Sequence, residues 1–153
     1  VKIGYANGAR NYTELIKYIK NGVGVTLSFM TFSALVLSIF PSQLASIFTT
    51  DKSLVTLITP AMVLVAVFQL SDGLQSALGG IYKGLKKTGF VMGANVIAYL
   101  LISVTLGTYL GIVRKMYLFG CWSALCISSF LLSLILATCL VFILKRLKKK
   151  YLN

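Results

Sequence analysis

Residues 119–144 read FGCWSALCISSFLLSLILATCLVFIL, a stretch without a single charged side chain. At about 1.5 Å per residue, a helix of this stretch is long enough to cross the roughly 30 Å hydrocarbon core of a bilayer. The residues that follow, KRLKKK at 145–150, are nearly all basic, as is typical of a segment that leaves the membrane. The stretch therefore predicts a transmembrane helix.

Three further apolar stretches precede it along the chain. Of all 153 residues, 58% are hydrophobic and 12% are charged, about half the charged fraction of a typical soluble domain. Composition and pattern together predict an all-α membrane protein with four transmembrane helices. We expect these helices at 22–40, 54–82, 90–112 and 119–144.

Proline and glycine positions refine the ends of the predicted elements. Pro41 follows the first span and ends it. Pro60 is expected to kink the second span or to mark its true start. Residues 1–21 contain several helix breakers, so we expect a short helix end and then a loop, in which Thr13 can open an amphipathic helix. The chain begins at Val1 without a signal-peptide pattern, and we expect it to start partway into a longer protein.

The basic residues are distributed unevenly between the two sides that four spans define. Segment 1–21, the connection at Lys83–Lys87 and the tail 145–153 hold twelve of the fifteen Lys and Arg residues. Cytoplasmic segments carry an excess of Lys and Arg, so we expect the N-terminal segment and the C-terminus to be cytoplasmic. The net charge of +12 is then explained by topology and contact with lipid headgroups, and nucleic-acid binding is not expected.

Asp72 is the only acidic residue inside a predicted span. A carboxylate in the hydrocarbon region costs a few kcal/mol, about 2.5 to 3.5 on insertion scales, and such residues face a bundle interior or a water cavity and mark ion or proton paths. Asp72 is therefore the candidate cation-coupling residue, for H⁺ or for Na⁺. The alternative is a carboxyl held by an interhelical hydrogen bond, with no role in transport.

Polar and aromatic residues accompany Asp72 at helical spacing. In the same span, Ser76, Gly80 and Gly84 recur every four residues, a pattern that favours close helix packing. In the third span, Asn95 and Tyr99 begin a similar series of polar and small residues spaced by four. Asn95 either faces the same cavity as Asp72 or makes a helix–helix hydrogen bond. The possible cavity or cation neighbours are Phe68, Gln69, Gln75, Ser76, Asn95 and Tyr99.

Three blocks of the sequence are distinctive, together with the opening VKIGYANGARN: FPSQLASIFTTDKSLVTL, FQLSDGLQSALGGIYKGLKKT and NVIAYLLISVTLGTYLG. These blocks resemble the multidrug and toxin extrusion (MATE) family, in its bacterial NorM-like branch. The resemblance covers essentially the whole chain, and its most specific part is the D-x-x-Q-x-x-x-x-G pattern that begins at Asp72.

The resemblance implies a place for the chain within a larger transporter. Members have twelve spans in two lobes, so the four spans here are equivalent to spans 9–12. Residues 1–153 then form part of the C-terminal lobe, in which 1–21 is the cytoplasmic loop after span 8 and 145–153 is a cytoplasmic basic tail. An aspartate at the position of Asp72 couples cation flow in this branch; some relatives carry Tyr at the position of Phe68, which lacks that oxygen.

The function implied is a secondary active antiporter of the bacterial plasma membrane, exporting organic or cationic drugs in exchange for Na⁺ or H⁺. Its partners are the lipid bilayer, small drug substrates and the missing N-terminal lobe, without which we expect the chain to be inactive. One alternative is a non-transporting remnant or a small membrane interaction protein. Another is a lipid-linked sugar flippase of the same broader fold group, although no basic residue lies inside the spans.

Enzymatic activity is not expected, because the chain has no His, only three acidic residues and no nucleophile–base pair. Its cysteines match no zinc or redox spacing. We therefore expect no cofactor and no metal beyond a possible Na⁺ at Asp72.

Overall fold

The computed structural model of the chain describes residues 1–152, which form six helices connected by short turns. The helices are α1 (Lys2–Gly8), α2 (Tyr12–Ile39), α3 (Pro41–Phe48), α4 (Lys52–Gly84), α5 (Thr88–Val113) and α6 (Tyr117–Leu152). Helices α2, α4, α5 and α6 are long and apolar enough to cross a membrane, so the predicted all-α fold with four spanning helices is confirmed.

The N-terminal segment is more helical than the sequence suggested. Asn11 caps α2, since its side-chain oxygen accepts a hydrogen bond of 3.1 Å from the backbone N–H of Glu14. From this cap the helix runs unbroken through the first span. The loop expected over residues 1–21 is therefore confined to the turn at residues 9–11, whereas the helix that Thr13 was expected to open is confirmed and begins one residue earlier, at Tyr12.

Helix α4 also begins earlier than expected. Asp51 caps it by accepting a 2.9 Å hydrogen bond from the backbone N–H of Ser53. Pro60 lies inside α4 and does not mark its start, so that alternative is wrong. Four residues before Pro60, the hydroxyl of Thr56 donates a 2.9 Å hydrogen bond to the carbonyl oxygen of Lys52. This bond lies in the first turn of α4, which the Asp51 cap stabilises.

Helix α5 is continuous but contains two π-helical stretches, Ile97–Ser103 and Tyr109–Val113. A π-turn closes with an i→i+5 hydrogen bond and so holds more residues than an α-turn. Residues spaced by four, such as the series that begins with Asn95 and Tyr99, shift gradually around an ideal α-helix, which has 3.6 residues per turn. The wider π-turns offset this shift, and the later members of the series, Ser103, Gly107 and Gly111, are buried.

Helix α4 is the centre of the bundle, with α2 on one side and α6 on the other, while α5 packs mainly on α6. The largest fully buried side chain is Tyr82, whose hydroxyl donates a 2.8 Å hydrogen bond to the carbonyl oxygen of Leu136 in α6. The buried apolar cluster lies around it: Ala6, Leu15, Ile19, Leu78, Ile81, Leu85, Val91, Ala98, Leu132, Leu136 and Leu140.

Many large apolar side chains point outward from the bundle. Phe29, Phe32 and Phe142 are each more than 60% exposed. A soluble protein would not leave so much apolar surface in water, whereas lipid chains cover it readily. The chain is therefore a multi-pass membrane protein.

One end of the bundle collects most of the positive charge, and we call it the basic end. There α1 meets the end of α4, where Gly4 lies 3.6 Å from the carbonyl oxygen of Gly84, measured from an ideal Cβ position. The far end of α6 joins them, since the Tyr151 hydroxyl donates to Asn7 Oδ1 at 2.8 Å. The tail is helical through Leu152, and Asn153 of the expected tail lies outside the described residues.

Candidate functional site

Asp72 lies inside α4, away from both of its ends, and its side chain is half-buried. Three residues advance an α-helix by about 300°, so Asp72 lies about 60° around the helix from both Gln69 and Gln75. Among residues 1–152, the side-chain hydrogen bonds around it involve these two glutamines and leave the Asp72 carboxylate without a partner. The alternative of a carboxyl held by an interhelical hydrogen bond thus finds no donor in the described part of the chain.

Gln75 is the hub of a hydrogen-bonded cluster that joins three helices. Its side-chain nitrogen donates to Asn95 Oδ1 at 2.7 Å, and its oxygen accepts from the Tyr99 hydroxyl at 2.8 Å. The Ser129 hydroxyl of α6 lies 3.4 Å from the same oxygen. Asn95 in turn donates to the carbonyl of Val91 at 2.8 Å. Both polar atoms of Gln75 are therefore occupied, and the cluster fixes α4 relative to α5 and α6.

Gln69 points the other way, toward α2. Its side-chain nitrogen donates to the Ser33 hydroxyl at 2.8 Å and lies 3.6 Å from the sulfur of Met30. Consequently the two glutamines tether α4 to opposite neighbours, and Asp72 occupies the side of α4 between them. The structure does not bring Gln69 and Gln75 into one cluster.

Phe68 packs edge-on against Trp122 of α6, with ring centroids 5.9 Å apart. Neither ring offers an oxygen, so this pair supplies an apolar wall one turn from Asp72 and no cation ligand.

A polar groove opens between the second half of α4 and the beginning of α5, with a volume of about 470 Å³. Ser76 lies on its wall, one turn from Asp72, together with Gly80 and Lys83. A Cβ built on Gly80 meets nothing within 4 Å. The expectation that Ser76 and Gly80 pack against a neighbouring helix is therefore wrong for the described residues, and it holds instead for Gly84, against α1. The complete lining is Gln75, Ser76, Gly79, Gly80, Lys83, Thr88, Val91, Met92 and Asn95.

Of the two roles that the sequence left open for Asn95, the interhelical hydrogen bond is confirmed, since Asn95 accepts from Gln75. Asn95 also lines the polar groove, whose lining does not include Asp72. Tyr99 belongs to the same cluster but lies beyond the groove lining, at the beginning of the first π-helical stretch.

Two serines of the site were not anticipated from the sequence. Ser33 in α2 and Ser129 in α6 hold the two glutamines. Ser129 belongs to a run of α6 serines, Ser128, Ser129 and Ser133, that are all buried. Polar residues recurring at helical spacing in an uncharged span were the available signal.

The arrangement offers one carboxylate, and amides and hydroxyls close by. Among the described residues, no group of three His, Cys, Asp or Glu side chains could hold a metal ion. A proton needs only the carboxylate, whereas Na⁺ would need further oxygens around Asp72.

The MatE family model matches residues 1–109 of the chain. A probable multidrug resistance protein NorM of Bacillus licheniformis is 25% identical over all of this chain, which spans 33% of that relative. The human multidrug and toxin extrusion protein 2 is 28% identical over 80% of the chain, equal to 20% of the relative. A solved multidrug resistance MATE family transporter in an inward-facing conformation superimposes with a TM-score of 0.86 at 16% identity, over 97% of this chain and 34% of its own.

Proposed function

Because this chain belongs to the MatE family, we propose that it forms part of a secondary active antiporter that exports organic, often cationic, drugs in exchange for Na⁺ or H⁺. The chain spans about a third of the length of the NorM relative that it matches from end to end. The four helices would then be spans 9–12 of a two-lobe transporter, and the chain alone would not transport.

The observation that carries the proposal is the half-buried Asp72 on a spanning helix, beside a polar groove and without a hydrogen-bond partner among residues 1–152. A bare carboxylate at membrane depth costs several kcal/mol. Binding a cation or a proton removes that cost, so the affinity of the site depends on how much water and which neighbours surround it. A change of conformation that alters those surroundings changes cation affinity, which is what coupling requires.

The neighbouring cluster supports Asp72 by positioning it. Gln75, Asn95 and Tyr99 satisfy one another, so they need not bind the cation themselves. They hold α4 against α5 and α6, while Gln69 and Ser33 hold it against α2. The backbone of α4 at Asp72 is thus held between α2, α5 and α6, while the carboxylate itself has no hydrogen-bond partner among residues 1–152.

We also place the basic end in the cytoplasm, in a bacterial plasma membrane. The helices bring α1, the end of α4 and the end of α6 to this end, and with them most of the Lys and Arg residues. Cytoplasmic segments carry such an excess. Drugs would then enter from the side of the polar groove.

Efflux of a fluorescent organic cation, rhodamine 6G, tests the proposal in cells that express the full-length transporter. Asp72→Asn keeps the size of the side chain and removes its charge, and we expect it to abolish efflux driven by Na⁺ or H⁺ gradients. Asp51→Asn is the matched control: it removes one carboxylate from the exposed cap of the same helix and should leave efflux intact. Separate Na⁺ and pH gradients identify the ion.

Two outcomes would contradict the proposal. Unchanged gradient-driven efflux in the Asp72→Asn variant would remove the coupling role of this residue. Absence of gradient-driven efflux in the unmodified full-length protein, with the protein folded in the membrane, would favour the non-transporting remnant.

A further inference from the structure

A second, chemically different cleft lies on the outside of the bundle, between the beginning of α5 and the end of α6. At the basic end it has a volume of about 480 Å³ and is lined by Lys87 and Arg146 together with Phe90, Phe142 and Ile143. Both basic side chains are exposed. The mouth of the cleft therefore combines two positive charges with aromatic and aliphatic walls.

The cleft continues along the same two helices toward the middle of the membrane. A further cavity of about 400 Å³ shares Gly89 and Phe90 with the first and ends near Ile102. Beyond these shared residues its walls are apolar, with Leu131 and Ile135 on the side of α6. From Lys87 to Ile102 the cleft follows α5 for roughly 20 Å, at 1.5 Å per residue. This depth is close to one leaflet of a bilayer that is about 40 to 45 Å thick with its headgroup regions.

Small residues on α5 keep the cleft open. A Cβ built on Gly89 or on Gly93 meets nothing within 4 Å, and Ala94 and Ala98 continue the same wall. A long apolar channel on a membrane-spanning surface is filled by lipid chains, since water there is costly.

We propose that this cleft binds one anionic glycerophospholipid, whose phosphate lies between Lys87 and Arg146 and whose acyl chain fills the channel along α5. Charge complementarity selects the occupant: Arg forms paired hydrogen bonds with phosphate oxygens, and Lys adds a second charge. Basic pockets between spanning helices take such headgroups. The proposal rests on the membrane location of the chain and is independent of drug transport.

The test is native mass spectrometry of the full chain in detergent micelles, titrated with palmitoyl-oleoyl phosphatidylglycerol or with the zwitterionic phosphatidylcholine of the same chains. We expect the first phosphatidylglycerol to bind more tightly. Because each basic side chain near an anionic headgroup contributes about fivefold in affinity, the double variant Lys87→Gln, Arg146→Gln should lose about thirtyfold. The control Lys86→Gln, Lys149→Gln removes the same charge from neighbouring positions outside the cleft and should lose far less.

A second pair of variants tests the acyl channel. Gly93→Leu fills open space in the cleft and should weaken both lipids several-fold, whereas Gly24→Leu fills open space on α2 and should change neither. Circular dichroism confirms that each variant is folded.

Three results would overturn the proposal. The first is equal binding of the two lipids to the unmodified chain. The second is an equal loss in the two double variants, which would show a diffuse surface charge. The third is the absence of this bound lipid from the full-length transporter, which would show that another part of the protein fills the cleft.

Discussion

Two regions of α4 carry small residues on one face of the helix but meet different surroundings. Gly73, Gly80 and Gly84 lie within about 40° of one another around the helix axis, at about 100° per residue. A Cβ on Gly84 would lie 2.7 Å from Ile3 Cγ2 and 3.2 Å from the backbone nitrogen of Gly4, and a Cβ on Gly73 would overlap Met30. Between these two packed positions, Gly80 has nothing within 4 Å, and Ser76 lines the polar groove one turn from Asp72. The same face of α4 therefore packs closely at Gly73 and Gly84 and leaves space at Gly80.

The largest difference is expected from adding one methyl group at each of two positions on this face. Gly84→Ala forces α1 away from α4, and overpacking of this kind costs about 1 to 3 kcal/mol of unfolding free energy. Gly80→Ala meets no neighbour and improves helix propensity, so it should be neutral or stabilising by up to about 1 kcal/mol. Thermal unfolding in detergent compares the two. Equal losses of stability would show that the two positions do not differ in packing.

The two glutamines on either side of Asp72 are expected to contribute unequally to the stability of the bundle. Gln75→Leu removes three polar contacts and leaves Asn95 and Tyr99 short of partners, which should cost about 1 to 2 kcal/mol. Gln69→Leu removes chiefly the 2.8 Å bond to Ser33 and should cost less, about 0.6 kcal/mol. The same unfolding measurement ranks them, and a larger loss for Gln69→Leu would refute the role of Gln75 as the hub.

The smallest effect is expected at the exposed start of α4, outside the spanning segment. Hydrogen bonds from the Ser53 side chain and then from its backbone N–H lower the pKa of Asp51 below its usual 3.8. The folded pKa lies below the unfolded one, so the stabilisation is fully present above pH 3.8 and is lost as the pH falls through the folded value.

A pH series of thermal midpoints, run against Asp51→Asn, tests this titration. Asparagine also caps helices but does not titrate, so the small advantage of the unmodified chain at neutral pH should vanish in acid. A difference between the two thermal midpoints that stays constant as the pH falls would contradict it.

The lengths of the uncharged stretches and the positions of the Lys and Arg residues between them were sufficient to predict the four spanning helices from the sequence. The helix start near Thr13 was predicted to within one residue, but its continuation into the first span was not, because Asn21, Gly22 and Gly24 are residues that also break helices. Continuity of α4 through Pro60 depends on the cap at Asp51 and on packing against two neighbours, which local sequence does not contain.

Asp72 could be singled out from the sequence because a lone acid in an apolar span is costly anywhere, and its coupling role stays a prediction. The helices that its neighbours Gln69 and Gln75 contact could not be predicted. Gln69 and Gln75 occupy similar positions relative to Asp72, and only the placement of Ser33 and Ser129 on other helices decides that one binds α2 and the other joins α5 and α6. Likewise, the open groove at Gly80 depends on how far α5 stands from α4.

We propose that Asp72 links cation binding to drug binding, and equilibrium binding of rhodamine 6G to the purified full-length transporter tests this coupling most directly. If both ligands shift one conformational equilibrium, the coupling ion should weaken drug affinity by about 5- to 150-fold. Asp72→Asn should abolish this dependence on Na⁺ or pH, while Asp51→Asn preserves it. An undiminished dependence in the Asp72→Asn variant would contradict the account.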